Sequence, residues 1–244
     1  MKDYLFRPSS IGKLMSEPKS KNEGPLSVGA KSYLREIATQ DIFGVDFEIT
    51  SKYMDKGIRC EDNSIDLLNQ VIGTSLSKNT ERRKDDFLTG ECDLFDFDTR
   101  IGYDLKTSWS LQTFPAFEID CTDKIYEYQM RAYMRLWDAQ KWVVAYAMVD
   151  TPEDLIRFEP MELHIVSHIP PEHRITMWTI TRDMEIEAKM VEKMRHARDY
   201  LKELYHEFER THKRKDVIDM DTGVILSMPQ EPPQKMIDLG LVDF

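Results

Sequence analysis

In GECDLFDFDTRIGYDLKTSW, residues 90–109, two carboxylates and an ammonium stand among residues that otherwise suit a sheet: Asp93, Asp104 and Lys106. Side chains alternate faces along a strand. In IGYDLKTS, Ile101, Tyr103, Leu105 and Thr107 therefore take one face, and Gly102, Asp104, Lys106 and Ser108 the other. A tight turn at Asp98-Thr99 would set Phe97 opposite Arg100, Asp93 opposite Asp104 and Glu91 opposite Lys106. Opposed residues share a face, with Cβ atoms about 5 Å apart, and a slip of one residue would undo the arrangement. Two facing carboxylates repel unless a cation sits between them. A hard divalent metal with oxygen ligands removes that cost. The competing reading is a solvated hairpin face with ordinary charge pairs.

Two helical stretches each carry a polar residue in an apolar stripe. In YMDKGIRCEDNSIDLLNQVI the stripe runs Met54, Ile58, Ile65, Leu68, Ile72, and the missing step is Glu61. A glutamate on a core-facing stripe is uncommon unless paired. It either snorkels to the surface or completes an acidic metal site. In TDKIYEYQMRAYMRLWDAQ, Gln129 lies in line with Ile125, Ala132 and Leu136, and Tyr133 follows one turn on. Such a glutamine either bonds a neighbouring backbone or serves the same site. The hairpin and both helices point the same way, and agreement across levels is what gives the set weight.

Around these residues the pattern is helix, hairpin, helix, strand, strand, long helix. Helices are expected over 27–44, ending at Gly44, and over 51–72; SSIGKLMS opens a short helix with Ser9 or Ser10 as N-cap. The segment 77–86 reads as a charged connection. Strands follow near 87–97 and 100–108, a helix over 122–139, and strands at WVVAYAMVD (142–150) and MELHIVSHI (161–169). From Pro171 to about Lys213 the pattern is one long helix, or two in line, with Met184, Met190, Val191, Met194 and Leu201 on its apolar side. This predicts an α/β or α+β domain over residues 1–213, a mixed central sheet flanked by helices, with a tail at 214–244. The 244 residues are 41% hydrophobic and 32% charged. The net charge of −11 argues against a bulk nucleic-acid binder but leaves room for a local basic groove. No apolar run suits a membrane span, and MKDYLFRPSS lacks a signal-peptide core. Cys60, Cys92 and Cys121 form no CxxC pair, so spacing supports neither zinc nor iron–sulfur, and a reducing cytoplasm is expected. His164, His168, His173 and His196 lack ligand spacing and read as structural or surface residues. Dinucleotide, Walker, nucleophile-elbow and HExxH motifs are absent.

Four pieces in order resemble the PD-(D/E)XK nuclease superfamily: KGIRCED with Glu61, GECD with Asp93, DLK with Asp104 and Lys106, and YEYQMRAY with Gln129 and Tyr133. Within it the chain is similar to the phage-type exonucleases: lambda exonuclease, YqaJ-like viral recombinases and RecB-like nuclease domains. The likeness covers roughly residues 5–170, and RPSSIGKLM resembles the serine-containing start of these enzymes. D-x-K stands here where many relatives carry E-x-K; both acids fit the pattern.

The resemblance implies a restriction-endonuclease-like core, a Mg2+ or Mn2+ site and phosphodiester hydrolysis. Asp93 and Asp104 would bind the metal with the Leu105 carbonyl, and Glu61 would join directly or through water. Lys106 would orient the attacking water and stabilise developing charge. Gln129 would position water or the nucleic-acid backbone, with Tyr133 behind it. Arg7, Ser9 and Ser10 become candidates for a terminal 5′-phosphate, against the plainer reading of an N-cap and a surface arginine. Ser108 could donate to a phosphate or simply end a strand. Arg82, Arg83 and Lys84 could touch DNA or form a solvated loop. The expected activity is metal-dependent exonucleolysis of duplex ends, 5′-to-3′, in phage-type recombination or DNA processing. Alternatives are an endonuclease or nickase on the same core, or a non-catalytic DNA-binding protein. Expected partners are DNA, further copies of the chain in a ring, and a single-strand annealing or recombination protein. KMIDLGLVDF would bind that protein or dock on its own chain.

Overall fold

The computed structural model describes residues 3–47 and 50–212. In chain order its elements are α1 (Ile11–Leu14), α2 (Val28–Phe43), α3 (Lys52–Arg59), α4 (Glu61–Ile72), β1 (Arg82–Lys84), β2 (Thr89–Glu91), β3 (Leu94–Asp96), β4 (Ile101–Thr107), α5 (Lys124–Trp137), β5 (Lys141–Ala147), α6 (Glu153–Ile156), β6 (Ile175–Thr181) and α7 (Met184–His212). The described residues fall into two compact units: 3–4, 13–47 and 191–212 form one, 5–12 and 50–190 the other. The tail expected at 214–244 lies outside the described residues. Among the described residues no helix is long and apolar enough to cross a membrane.

The larger unit is built on a four-stranded sheet in the order β3-β4-β5-β6. β3 and β4 pair antiparallel, β4 and β5 parallel, and β5 and β6 antiparallel. Parallel neighbours need a crossover, and α5 supplies it between β4 and β5. Alternation then sorts the layers. Tyr103, Val143 and Ala145 face α4, packing on Ile65 and Leu68. Trp142 and Val144 face α5, packing on Met130, Tyr133, Met134 and Trp137. The mixed sheet between helices is the architecture expected from the sequence.

In the smaller unit α2 is capped by Ser27, whose hydroxyl accepts from the Ala30 N–H, and ends at Gly44 in the left-handed region, as its sequence predicts. α2 buries Leu34, Ile37 and Ile42; Met194, Ala197 and Leu201 of α7 are likewise buried. Tyr205 on α7 donates to Asp41 on α2 at 2.8 Å.

Several expected elements differ. The helix expected over 51–72 breaks at Cys60, whose φ of −109° and ψ of 13° leave helical geometry. The break rotates the first half out of the stripe: Ile58 is 72% exposed, while Lys56 is fully buried. The basic run 82–84 is not a loop but strand β1, pairing with β2 (Arg82 opposite Glu91). Residues 161–169 form no strand. One turn and a loop occupy them, because the Asp150 carboxylate accepts the Val166 and Ser167 N–H groups at 2.6 and 2.8 Å. That is a side-chain substitute for a ladder. The sheet's last strand comes instead from ITMWTIT, whose β-branched and aromatic residues suit a pleated surface. The long helix accordingly starts at Met184, with the Asp183 carboxylate accepting from the Glu185 and Ile186 N–H groups. Ser9 and Ser10 lie inside a short 3-10 turn, Pro8–Ser10, whose cap position is Arg7, rather than capping a helix.

Candidate active site

The site grows from the β3–β4 hairpin. Leu94 opposes Tyr103, Phe95 opposes Gly102, and Asp96 opposes Ile101. The connection is a four-residue turn, 97–100, with Arg100 at φ 58°. Extending this register by one residue puts Asp93 across from Asp104, as the alternation predicts. The strand itself stops before Asp93, and its side chain continues the pairing: Asp93 Oδ2 accepts the Leu105 N–H at 2.9 Å. N–H and C=O of one strand residue leave the same edge, so the Leu105 carbonyl faces the Asp93 side too. Glu91 does not oppose Lys106. It belongs to β2 and pairs with β1, because the chain turns away at Cys92.

On β4 the face carrying Asp104 lies under α5. Gly102 is required there: a Cβ would fall 2.3 Å from the Trp142 ring. Tyr133 stacks on that ring at 5.2 Å and 17°. One helical turn back from Tyr133 is Gln129, and one two-residue step on from Gly102 is Asp104. A turn of about 5.4 Å matches a strand step of about 6.6 Å, so Gln129 meets Asp104. Its amide donates to Asp104 Oδ1 at 3.1 Å, and both side chains are buried. The Tyr133 hydroxyl donates to the Glu91 carbonyl at 3.0 Å, fixing α5 to the strand that leads to Asp93.

Lys106 Nζ lies 2.6 Å from Asp104 Oδ2 and 4.6 Å from the centre of the Tyr126 ring. That Oδ2 is buried and receives no well-directed hydrogen bond, so the contact is a charge pairing that leaves an oxygen lone pair unused. Electrostatics follow from this crowding. Burial and the Asp104 charge push the Asp93 carboxyl up to about 7, against the Leu105 N–H and Lys106, with Glu61 adding to the push. Burial works to lower the Lys106 pKa, but the charge and contact of Asp104 prevail and raise it.

Glu61 opens α4, where its charge suits the helix N-terminus. It pairs with Lys78, whose pKa it raises, and its field reaches Asp93. The structure thus brings Asp93, Asp104, Leu105, Lys106 and Gln129 together and places Glu61 beside them through Lys78. Tyr133 packs behind Gln129. Arg7 and Ser9 are exposed on the Pro8–Ser10 turn, with Ser10 half-buried. That turn packs on α5, and Pro8 occupies the space a Cβ on Gly90 would need. Ser108 is buried just past β4.

Lys56 was not readable from spacing. Its ammonium donates to the carbonyls of Ser108, Trp109 and Val149 at 2.7, 3.0 and 2.9 Å, pinning the end of β4 to the end of β5. Burial lowers its pKa to about 8. Nothing in KYMDKGIR distinguishes it from a surface lysine.

Among the described residues no group of three or more His, Cys, Asp or Glu is gathered closely enough to cage a metal. The donors that do converge are two carboxylates, one with an unused buried oxygen, and a backbone carbonyl. This all-oxygen set is the chemistry of a hard divalent cation that keeps several waters.

No protein-family model and no curated protein matches the chain. Among solved structures it is similar to a phage-related exonuclease from Haemophilus somnus 129PT, with 35% identity and a TM-score of 0.79, covering 84% of this chain and 97% of that one. It also shares its fold with the alkaline exonuclease LHK-Exo from Laribacter hongkongensis, at 14% identity and a TM-score of 0.63, over 86% of this chain and 94% of that one. LHK-Exo in complex with dAMP matches at 16% identity and a TM-score of 0.59, over 86% and 92%. With the paired aspartates, the lysine and the helix glutamine in place, the chain belongs to the phage-type exonuclease family of PD-(D/E)XK nucleases.

Proposed function

We propose that the chain is a Mg2+- or Mn2+-dependent deoxyribonuclease that removes nucleotides from duplex DNA ends, 5′-to-3′, in phage-type recombination or DNA processing. The observation that carries this reading is the convergence of the Asp93 and Asp104 carboxylates with the Lys106 ammonium on one strand face. The dAMP-bound relative supports DNA as the substrate.

Asp93, Asp104 and the Leu105 carbonyl would hold the cation, and Glu61 would join by exchanging its Lys78 partner, directly or through water. The bound cation supplies Lewis-acid polarisation of the phosphate and acidifies water. Gln129 fixes Asp104 by Oδ1, which leaves Oδ2 for the cation. Lys106 keeps N–H donors for the water and for charge that grows on the phosphate oxygens. Arg7, Ser9 and Ser10 are the candidates for the terminal 5′-phosphate. Arg82 and Lys84 of β1, both exposed, are candidates for contact with backbone phosphates. Ser108, buried and past the strand, is the weakest of the proposed substrate contacts.

The test is digestion of end-labelled linear duplex, single-stranded and closed circular DNA with Mg2+, with Mn2+ and with EDTA. Linear duplex should be degraded only with metal, and more slowly once its 5′-phosphate is removed. Cutting of closed circles would turn the reading to an endonuclease or nickase. No cutting under any metal would turn it to a binding protein.

A further inference from the structure

Beside the carboxylate pair, a groove of about 470 Å³ runs between the 75–81 segment and the β3–β4 turn. We propose that this groove receives one nucleobase at the DNA end, its phosphate toward Lys78 and its ring on Phe97. The inference rests on the nuclease reading of the neighbouring site.

The groove has two unlike ends. Lys78 marks the first, against Glu61 and within the field of Asp93. The next residue, Asn79, donates its N–H to the Asp93 carbonyl at 2.7 Å, so this end abuts the catalytic strand. Phe97 marks the second, at the hairpin turn. It is 62% exposed, with its ring set edge-on against Phe95 at 5.0 Å. Between them Ser75, Ser77 and Thr80 offer exposed hydroxyls, none of which has a partner among the described residues.

Charge decides what fits and which way round. Glu81 is neutralised by Arg83, which bonds both its oxygens at 2.9 and 3.1 Å. Asp96 is saturated by the Thr99 hydroxyl and by the N–H groups of Asp98 and Thr99. Among the described residues the Asp98 carboxylate has no partner. A phosphate is repelled at that end; at the other it meets the Lys78 ammonium once Glu61, its present partner, turns to the cation. A nucleobase is the reverse: its exocyclic N–H groups suit a free carboxylate and hydroxyls, and its face suits an exposed aromatic ring. A nucleotide joins both demands. Phe97 thus has a reason to stand in solvent at a turn, where a polar residue would ordinarily sit.

The experiment uses the full chain and a linear duplex with 5-iodouracil placed at successive positions from the end. Ca2+ replaces Mg2+ to hold the complex uncut. Irradiation should crosslink Phe97 or the 75–81 segment from one of the first few positions. Phe97→Ala should weaken end binding about tenfold, and Phe97→Trp should restore it. Phe97→Ala binding as tightly as wild type, or crosslinks confined to other segments, overturns the groove. Should wild type cut DNA while its crosslinks lie elsewhere, the groove alone is lost and the nuclease reading stands. Wild type that neither binds nor cuts DNA overturns both.

Discussion

Just past the end of β4, and on its face toward α5, two lysines are held away from bulk water by opposite means. Three backbone carbonyls use all three N–H donors of Lys56, and the nearby Asp150 charge offsets burial only in part. Burial there pulls its pKa down to about 8. Lys106 faces a carboxylate and an aromatic ring, and the carboxylate overrides burial and raises its pKa. A saturated ammonium can only hold structure in place. An ammonium with one anionic partner keeps donors to give, and its charge survives into alkaline solution. The difference separates a staple from a chemical group without reference to motif.

Replacing each lysine with methionine tests that separation. Lys106→Met should lower kcat by about a thousandfold or more, about 4 kcal/mol of transition-state stabilisation. Its urea midpoint should fall as well, because the buried Asp104 loses its counter-charge, so the rate is read per folded molecule. Single-turnover cleavage of labelled duplex reads the first quantity; a loss under tenfold would place Lys106 with the staple. Lys56→Met leaves three carbonyls without a donor in a dry site, at roughly 1–3 kcal/mol for each group not rescued by water. A stability loss on the order of 3 kcal/mol in urea unfolding is expected, with activity kept by the folded fraction. A neutral result would mean that water replaces the ammonium.

The same contrast explains what could be read before the fold was known. Asp93, Asp104 and Lys106 were legible because a strand has a period of two and the hairpin fixes its register. Gln129 was legible as a polar residue on a buried helix face. The Glu61 stripe was misleading: it assumed one helix through Cys60, and the break put Ile58 in solvent. Lys56 left no trace because its partners are carbonyls 52 to 93 residues away in sequence. The strand ITMWTIT carried its own β-branched signal, but the apolar spacing downstream absorbed it into the helix. Residues whose role depends on a local period were visible; those whose role depends on distant backbone were not.

The crowded carboxylates give a pH signature that the staple lacks. The Asp93 carboxyl rises from an ordinary value of 3.8 to about 7 in the fold. The folded state then binds a proton that the unfolded chain has lost. In that window stability falls as pH rises, from about 4 to about 7, and the penalty is complete above 7. For a coupled pair this is of order 1–3 kcal/mol. Asp93→Asn should remove the slope and raise metal-free stability at pH 8, while abolishing cleavage. Mg2+ should flatten the wild-type slope and leave the variant unchanged. Urea titrations at pH 4.5, 6 and 8, with and without metal, decide it; an equal slope in the variant would assign the proton elsewhere.

Gln129 sits between the two regimes, since its amide serves a charge yet is itself buried like a structural group. Removing it frees Asp104 Oδ1, so the carboxylate gains rotation at the moment its other oxygen must bind. Gln129→Ala should reduce kcat about tenfold, roughly 1.4 kcal/mol, and raise the Mg2+ concentration needed for half-maximal rate. Its loss of stability should stay near 1 kcal/mol, as for one neutral hydrogen bond. A purely structural glutamine would lower stability without moving the metal dependence. The Mg2+ titration therefore separates the two roles, and Gln129→Glu sharpens it. A third carboxylate against Asp104 should raise the cost of the metal-free state and make stability depend more steeply on the ion.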